Sequence, residues 1–386
     1  MASTASPDQT TATAGQSPAR SAGPAPDEVT AGRPSAAAHL TTEQIEELGR
    51  ELDAIRAAVI EDRGAKDAAY IRRVIRTQRS LEVAGRATLL YAARKPAWIA
   101  GTGMLTVAKI LENMEIGHNV LHGQWDWMRD PDIHSTTWEW DFVTPAEAWQ
   151  HTHNDLHHTW TNVIGKDRDV GYTILRMDAD QPWRPKNLGN PLYNALLAPI
   201  FEWGIALYDL ELDQVREGTK SKAELHQSLK ALGTKFAKQI AKDYVATPVA
   251  AAVLSGSGKQ ALAATATANA VRNIWAHAVI FCGHFPAGAD TFTEAQIEGE
   301  RRGDWYLRQM IGSANISGSR LMHLMTGNLS FQIEHHLFPD LPSNRYAEVA
   351  VKVREICARY GLPYTTGPLY QQVGSAWAKV FRLALP

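Results

Sequence analysis

The sequence predicts an all-α protein, and two observations support this. In the first ordered stretches, apolar residues recur at spacings of three and four, whereas the alternation typical of half-buried strands is scarce throughout. The most unusual residues, the histidines, are also spaced as they would be along helices. The 39 basic and 41 acidic side chains nearly cancel, which argues against a nucleic-acid partner. With only two cysteines, a disulfide-stapled scaffold and a cysteine-based zinc module are excluded.

Residues 1–40 are rich in Ala, Ser, Thr, Gly and Pro and show no apolar period, so they are predicted to be a disordered, low-complexity tail. They lack the apolar core of a secretory signal. Order is predicted to begin near Thr41, which forms a capping-box pattern with Gln44. The stripe of an amphipathic helix follows it: Ile45, Leu48, Leu52, Ile55 and Val59.

A second helical stretch, residues 70–86, mixes apolar residues with arginines. These arginines fit either a solvated helix face or a cytoplasmic helix next to a membrane. Four apolar stretches follow, at 96–108, 190–208, 244–258 and 260–271, and each is shorter or more polar than the roughly 20 residues of a bilayer span. The turn at 255–259 is predicted to join the last two as a helical hairpin. Hydropathy alone leaves a membrane protein and a soluble helical protein both open.

The remaining segments are polar. Residues 209–243 are charged and rich in lysine, and residues 341–386 form a polar C-terminal region with a predicted helix around 347–360. Six of the 12 tryptophans lie between residues 125 and 160. They fit a membrane-interface belt, the wall of an apolar substrate tunnel, or ordinary core packing.

Histidines cluster in three groups, and seven of the 14 lie between residues 118 and 158. The pairs His118/His122 and His153/His157 have the i, i+4 spacing that places two imidazoles on one helix face. His158 is rotated by about 100° from its neighbour on a helix, so the two adjacent rings can serve two metals. The third group repeats this adjacent pair, and a further candidate ends an apolar stretch: His335, His336 and His284.

These eight imidazoles exceed the three or four ligands that one zinc site needs, so they predict two metal ions. Imidazole suits Fe, Zn, Cu and Ni alike, which leaves the metal open. The carboxylate-rich pattern of soluble di-iron bundles and the HExxH pattern of zinc proteases are both missing. Glu115, Asp155 and Glu334 are candidate outer-shell partners, although solvated faces explain them equally well.

The order H-N-V-L-H, H-N-D-L-H-H and Q-I-E-H-H resembles the three histidine boxes of integral-membrane fatty acid desaturases. The segments at 112–127, 169–172, 308–310 and 328–342 are similar to the actinobacterial acyl-CoA desaturases of the stearoyl-CoA delta-nine type. The resemblance covers roughly residues 41–380, which we take as one desaturase domain between the tail and a short C-terminal end at 381–386.

The resemblance implies membrane helices and a cytosolic helical cap that holds two irons. It implies that O₂ and two electrons are used to remove two hydrogens from a fatty acyl chain, on an acyl-CoA or another acyl lipid. The metal ligands implied are His118, His122, His153, His157, His158, His284, His335 and His336. Gln332 departs from the pattern, because many members carry histidine at this position. The same departure is known within the family, particularly in front-end desaturases.

The sequence shows no heme-binding or cysteine-rich iron–sulfur segment, so electrons from NAD(P)H are expected to arrive through a separate reductase or ferredoxin-like partner. The resemblance implies a multi-pass protein of the cell membrane, and the basic segments favour the cytoplasmic side for its metal site and termini. Two alternatives keep the scaffold: a lipid or alkane hydroxylase, and a front-end or phospholipid-linked desaturase. A third, of another class, is a non-catalytic metal-binding membrane protein.

Overall fold

The computed structural model describes residues 34–386, and most of that range is helical, as predicted. The predicted tail at 1–40 falls largely on residues 1–33, which lie outside the described residues. Its last part is ordered: a short 3₁₀ turn spans Ser35–Ala37, and Ala37 and Leu40 are buried in an apolar core. The ordered chain therefore begins before Thr41, because two apolar side chains in a polar segment find a core contributed by distant helices.

The N-terminal helices confirm their sequence patterns. α1 spans Thr42–Asp62, and Thr41 and Gln44 close the predicted capping box in front of it. Four of the five residues of the predicted stripe are buried, and Ile55 packs at the edge of the same core. α2 spans Ala65–Leu89. Its arginines divide, because Arg72, Arg73 and Arg76 are exposed, whereas Arg86 points inward.

Two of the histidine boxes lie on helices that widen into π-helical turns. α3 (Lys95–Ile110) continues through the π segment Leu111–His118 into the short α4 (Asn119–Leu121). After a loop, α5 (Ala146–Trp149) continues through the π segment Gln150–His157 into α6 (His158–Trp160). Such π turns within α-helices are uncommon and are frequent at functional sites. The i, i+4 faces expected of ideal α-helices are therefore approximations here.

The middle of the chain is a series of helices followed by a hairpin. The Lys-rich segment at 209–243 is largely helical. The predicted hairpin at 255–259 is confirmed, because Gly256 lies between its two helices with a φ of 72°, a conformation that favours glycine. The helices are α7 (Asn190–Leu197), α8 (Phe201–Tyr208), α9 (Leu212–Glu217), α10 (Lys222–Ile240), α11 (Thr247–Ser255) and α12 (Gly258–His284). A third π segment, Ala241–Ala246, joins α10 to α11.

The C-terminal region is also mainly helical. Its helices are α13 (Arg302–Ile311), α14 (Arg320–Met325), α15 (Gln332–Leu337), α16 (Tyr346–Arg359) and α17 (Leu369–Ala384). α16 confirms the helix predicted around 347–360. Two short parallel strands, β1 (Asn315–Ser317) and β2 (Thr366–Pro368), pair beside α15, a detail that an all-α prediction leaves out.

A buried charged cluster joins the helices at the end of α3 and α10. Lys109 donates to Asp243 at 2.6 Å and to Asp141 at 3.2 Å, and Arg86 donates to Asp243 at 2.7 Å. The remaining pair is Arg272 with Glu202, both almost fully buried. We call these six residues the charged cluster. Its balanced charges tie α2, α3, α8, the third π segment and α12 together.

Within residues 34–386, every helix is either too short or too polar to span a membrane.

Candidate metal centre

The structure gathers seven of the eight predicted histidines into two groups. In each group the candidate ligand atoms lie within 4.8 Å of one another. The first group is His118, His122, His153 and His335, and the second is His157, His284 and His336. Residues that are more than 200 positions apart in the chain thus meet at one place, because the ends of α3, α5, α12 and α15 converge.

His158 lies between the two groups and belongs to neither by distance. Its ring is 4.6 Å from that of His122 and 4.3 Å from that of His336, centroid to centroid. Neither of its ring nitrogens has a hydrogen-bond partner among the described residues. The adjacent rings of His157 and His158 cross at 77°, as expected for neighbours on a helix. All eight imidazoles therefore occupy one buried cluster, which we call the histidine cluster.

The nitrogen atoms of the histidine cluster suit metal ions. The Nδ1 atoms of His157, His335 and His336 lie 3.0–3.2 Å from polar side chains, namely Asp167, Tyr346 and Gln309. The Nε2 atoms of His122, His153, His157 and His158 have no partner within residues 34–386, and of these rings His157 combines a free Nε2 atom with a hydrogen bond at Nδ1. Buried polar atoms rarely stay without a partner. Outer partners on one nitrogen and a free second nitrogen are the arrangement of metal-binding histidines.

Facing pairs strengthen this argument. The Nε2 atoms of His118 and His335 are 3.3 Å apart, and those of His284 and His336 are 3.1 Å apart. Burial holds the pKa of His118, His335 and His336 well below the usual value, so these rings are neutral and their lone pairs are available. Two such nitrogen atoms can share only one proton in a hydrogen bond. A metal ion bound by both would take the place of that hydrogen bond.

Two aspartates supply the negative charge closest to the cluster. Burial lowers the pKa of His157, but Asp167 and Asp169 outweigh it and raise that pKa to about 9. Asp169 also lies 3.7 Å from Nδ1 of His153. A metal on Nε2 of His157 would take the place of the proton there. Asp167 and Asp169 follow the second box by about ten residues, and their sequence offered no spacing rule that would have singled them out.

The predicted outer-shell carboxylates lie elsewhere. Glu115 accepts hydrogen bonds from Tyr70, Ser343 and Asn328. Glu334 accepts from Asn315 and Tyr364. Asp155 is exposed and lies 3.6 Å from His151, which is outside the cluster. None of the three has a recorded contact with a ring of the histidine cluster within the described chain, so their sequence proximity to the boxes was misleading.

Gln332 stands beside the second group. Its Nε2 atom is 3.1 Å from Nε2 of His284, and its Oε1 atom is without a partner in the described part of the chain. The close approach requires glycine at position 283, because a Cβ atom there would lie 2.9 Å from the Gln332 side chain. The amide thus occupies the space of a ligand, although a glutamine offers an oxygen rather than an imidazole nitrogen.

An apolar cavity of about 40 Å³ lies beside the first histidine group. His118 and His153 form part of its wall. Two of the clustered tryptophans, Trp140 and Trp149, line it as well, and Trp149 stacks on His153 with centroids 4.4 Å apart. Trp125 instead packs in a separate core, so tunnel wall and core packing each describe part of the tryptophan cluster.

A few polar groups interrupt this apolar wall. Asp209 accepts a hydrogen bond of 2.7 Å from the hydroxyl of Thr152, and Thr144 places a second hydroxyl beside the same carboxylate. Burial raises the pKa of Asp209 to about 7. Enclosed apolar walls with a few placed polar groups are typical of pockets for small ligands.

Comparison with known proteins gives consistent matches. The fatty acid desaturase family model matches residues 96–368. The chain is 51% identical over 350 residues to the NADPH-dependent stearoyl-CoA 9-desaturase of two Mycobacterium tuberculosis strains, which covers 90% of this chain and 82% of that protein. A shorter match, 40% identical over 73 residues, is to human fatty acid desaturase 3, covering 19% of this chain and 16% of that protein.

Proposed function

The chain belongs to the fatty acid desaturase family, and we propose that it introduces a double bond at the delta-nine position of stearoyl-CoA. The enzyme is an oxidoreductase that acts on a long acyl chain with O₂ and two electrons. The observation that carries the proposal is the position of the apolar cavity, whose wall includes two histidines of the cluster. An alkyl chain in this cavity would lie directly beside the metal ions.

The cofactor we propose is a pair of iron ions held by the histidine cluster. One ion would be held by the first group, His118, His122, His153 and His335. The other would be held by the second group, His157, His284 and His336, and His158 would complete the ligand set. Iron supplies the O₂ chemistry needed to break an aliphatic C–H bond, which no protein side chain can do. Burial keeps rings such as His118 neutral, and polar side chains orient His157, His335 and His336 through Nδ1. The apolar wall excludes water from the cavity.

We propose a separate reductase or ferredoxin-like protein as the electron donor, fed by NAD(P)H. The relative from Mycobacterium tuberculosis is named as NADPH-dependent. Both cysteines of this chain are buried and unpaired, and neither suits an iron–sulfur cluster.

We further propose that the enzyme resides in the cell membrane as a multi-pass protein, with the metal site and both termini in the cytoplasm. Large apolar side chains are exposed on α7, α11 and α12, among them Leu192, Val253 and Leu262. Exposed apolar patches of this kind mark surfaces that are covered by a partner or by lipid. The arginines of α2 and the lysines of α10 follow the bias of cytoplasmic segments. Protease protection in oriented vesicles tests the orientation.

Product mass tests the reaction. Membranes that contain the iron-loaded protein, NADPH and a reductase should convert stearoyl-CoA into a product that has lost two hydrogens. A product that has gained one oxygen would instead make the enzyme a hydroxylase. Bound metal with no consumption of O₂ would support the non-catalytic alternative. His226→Ala, an exposed histidine outside the cluster, is the matched control for variants of the ligands.

A further inference from the structure

The C-terminal helix α17 is apolar on two faces. One face packs on α7 and α12, and its side chains, such as Val380 and Leu383, are buried. The other face carries Tyr370 and Phe381, whose side chains are 74% and 58% exposed. These two residues are 11 positions apart and therefore point in directions that differ by only about 20°. Leu385, directly after the helix, is also 58% exposed. The described chain thus leaves a large apolar surface of α17 uncovered.

Hydrogen bonds hold the end of α17 against the segment that precedes α7. Arg176 donates from Nη1 to the carbonyl oxygens of Leu383 and Leu385 at 3.3 and 3.2 Å. Trp183 donates from Nε1 to the carbonyl oxygen of Ala384 at 2.9 Å. These bonds satisfy carbonyl groups that the end of a helix leaves free. The residues that follow Trp183 therefore lie beside the last turn of α17.

Three exposed cations border the apolar surface at this end of α17. Arg184 and Lys186 follow Trp183, and Arg382 follows Phe381 on the helix. None of the three cations has an ion-pair partner within residues 34–386. Leu188, next along the chain, adds another large apolar side chain that is 58% exposed. We call this end of α17 together with residues 184–188 the C-terminal patch. Exposed apolar side chains bordered by unpaired cations are typical of surfaces that lie on anionic membranes.

Other occupants of the C-terminal patch fit less well. A second copy of this chain would bring two sets of unpaired cations together around a two-fold axis, where they repel each other. Residues 1–33 contain one Met and one Val as their only large apolar side chains, too few to cover the patch. The nearby carboxylates of Asp178 and Asp290 interact with Lys379, on the flank of α17, rather than covering the apolar side chains.

From the exposed apolar side chains and the three unpaired cations, we propose that the C-terminal patch is a binding site for anionic phospholipid. The apolar side chains enter the acyl layer, and the cations donate hydrogen bonds to the lipid phosphate from Arg184, Lys186 and Arg382. Anionic lipids are favoured over phosphatidylcholine, because the same cations repel its choline group. This inference rests on the membrane residence that belongs to the proposed function, and it names the lipid class that this surface selects.

Quenchers carried by lipids test the patch without measuring turnover. Ala378 is exposed near Phe381 on the same face of α17, so Ala378→Cys can carry a fluorophore there. The native Cys282 and Cys357 are buried and stay unlabelled. The full-length, iron-loaded protein is placed in phosphatidylcholine nanodiscs that contain an equal small fraction of nitroxide-labelled phosphatidylglycerol or phosphatidylcholine. Phosphatidylglycerol should quench about fivefold more effectively, the selectivity that one basic side chain provides near an anionic lipid surface.

Two exposed positions are the controls for this measurement. Val249 and Val351 are both more than half exposed, on α11 and α16. Val249→Cys lies on the helix proposed to face lipid and should be quenched equally by the two lipids. Val351→Cys lies among charged neighbours on α16 and should be quenched by neither lipid.

A charge variant separates recognition of the phosphate from contact with lipid. In the triple variant Arg184→Gln, Lys186→Gln and Arg382→Gln, the fluorophore at Ala378→Cys should still be quenched, but equally by the two lipids. All three side chains are exposed, so the fold is retained. Because the two lipids are compared on the same protein, a structural change alone would not remove the preference. Raising the salt concentration should weaken the preference of the unsubstituted patch as well.

Three results overturn the proposal. Quenching of Ala378→Cys by aqueous iodide and by neither lipid would place the patch in water. Equal quenching by the two lipids would exclude a site for anionic headgroups. Protection from both kinds of quencher would show that protein, such as a second copy of the chain, covers the patch.

The same nanodiscs separate this inference from the proposed function. If the protein desaturates stearoyl-CoA but shows no preference for phosphatidylglycerol at Ala378→Cys, only this inference fails. If the preference is present and stearoyl-CoA stays unchanged, the proposed desaturase activity fails and the lipid site is supported.

Discussion

The histidine cluster and the charged cluster are both buried and both rest on α3 and α12, but their polar atoms are satisfied differently. Every charge of the charged cluster has an opposite charge within hydrogen-bond distance, as Lys109 has Asp243. The histidine cluster holds rings of one kind, and the Nε2 atoms of His122, His153 and His158 have no partner in the described chain. In the charged cluster, Glu202 Oε1 and Arg272 Nε also have no partner in the described chain, but every charge there is neutralised by another. The histidine cluster has no such internal pairing, and its free nitrogen atoms make it the candidate metal site.

The largest expected effect is on activity, from the histidine cluster. His157→Ala and His336→Ala should abolish desaturation, because each removes a ligand that no neighbouring group replaces. Membrane extraction and helical content should match the wild-type protein, since the chain would lose only an imidazole. Stearoyl-CoA turnover and iron content per chain are the measurements, with His226→Ala as control. Full activity in either variant would show that the unsatisfied nitrogens do not bind the metal.

The charged cluster should respond in the opposite way. Lys109→Met leaves Asp243 and Asp141 short of a buried partner, and breaking a buried ion pair costs about 3–5 kcal/mol of unfolding free energy. The folded fraction should nevertheless bind its normal complement of iron. Thermal unfolding and metal analysis are measured on the same sample, with the exposed Lys230→Met as control. An unchanged melting temperature combined with lost iron would contradict the assignment of this cluster to structure.

Asp167 tests the outer partners of the histidine cluster. Asp167→Asn removes the charge beside His157 but keeps a similar shape, and loss of such an outer partner typically lowers metal affinity about 10- to 100-fold. Competition with a chelator measures that affinity. Asp155→Asn, the candidate suggested by sequence proximity, should have wild-type affinity, because Asp155 is exposed and lies 3.6 Å from His151, a histidine outside the cluster. An equal loss of metal affinity in the two variants would show that Asp167 is no more important to the metal site than Asp155.

The smallest effects are expected outside both clusters, at the N-terminus. Deletion of residues 1–33 should change neither activity nor stability, given their low-complexity composition. Deletion of residues 1–40 removes the buried Ala37 and Leu40, and losing a buried leucine costs about 1.5–3 kcal/mol. Thermal unfolding of the two truncated proteins separates the outcomes. A large loss of activity in the shorter deletion would refute the prediction of a dispensable tail.

Local patterns predicted much of the fold. The capping box at Thr41, the helical hairpin near Gly256 and the helix at 347–360 each depend on neighbouring residues, so the sequence contains their signals. The charged cluster was not predicted, because Lys109, Asp141 and Asp243 are single charges far apart in the chain. Arg86 was not distinguished from the other arginines of its helix for the same reason, although it donates to Asp243.

The histidine boxes show the same division within one site. By themselves, the spacing and number of the histidines determined that imidazoles from three segments would come together, because helical geometry places i and i+4 residues on one face. The pair of metal ions stays a prediction. Only the tertiary structure decided which rings form each group, that Asp167 and Asp169 lie behind them, and that an apolar cavity lies beside the first group. These contacts join residues distant in the chain, and their pairing follows from how the helices pack rather than from any local pattern.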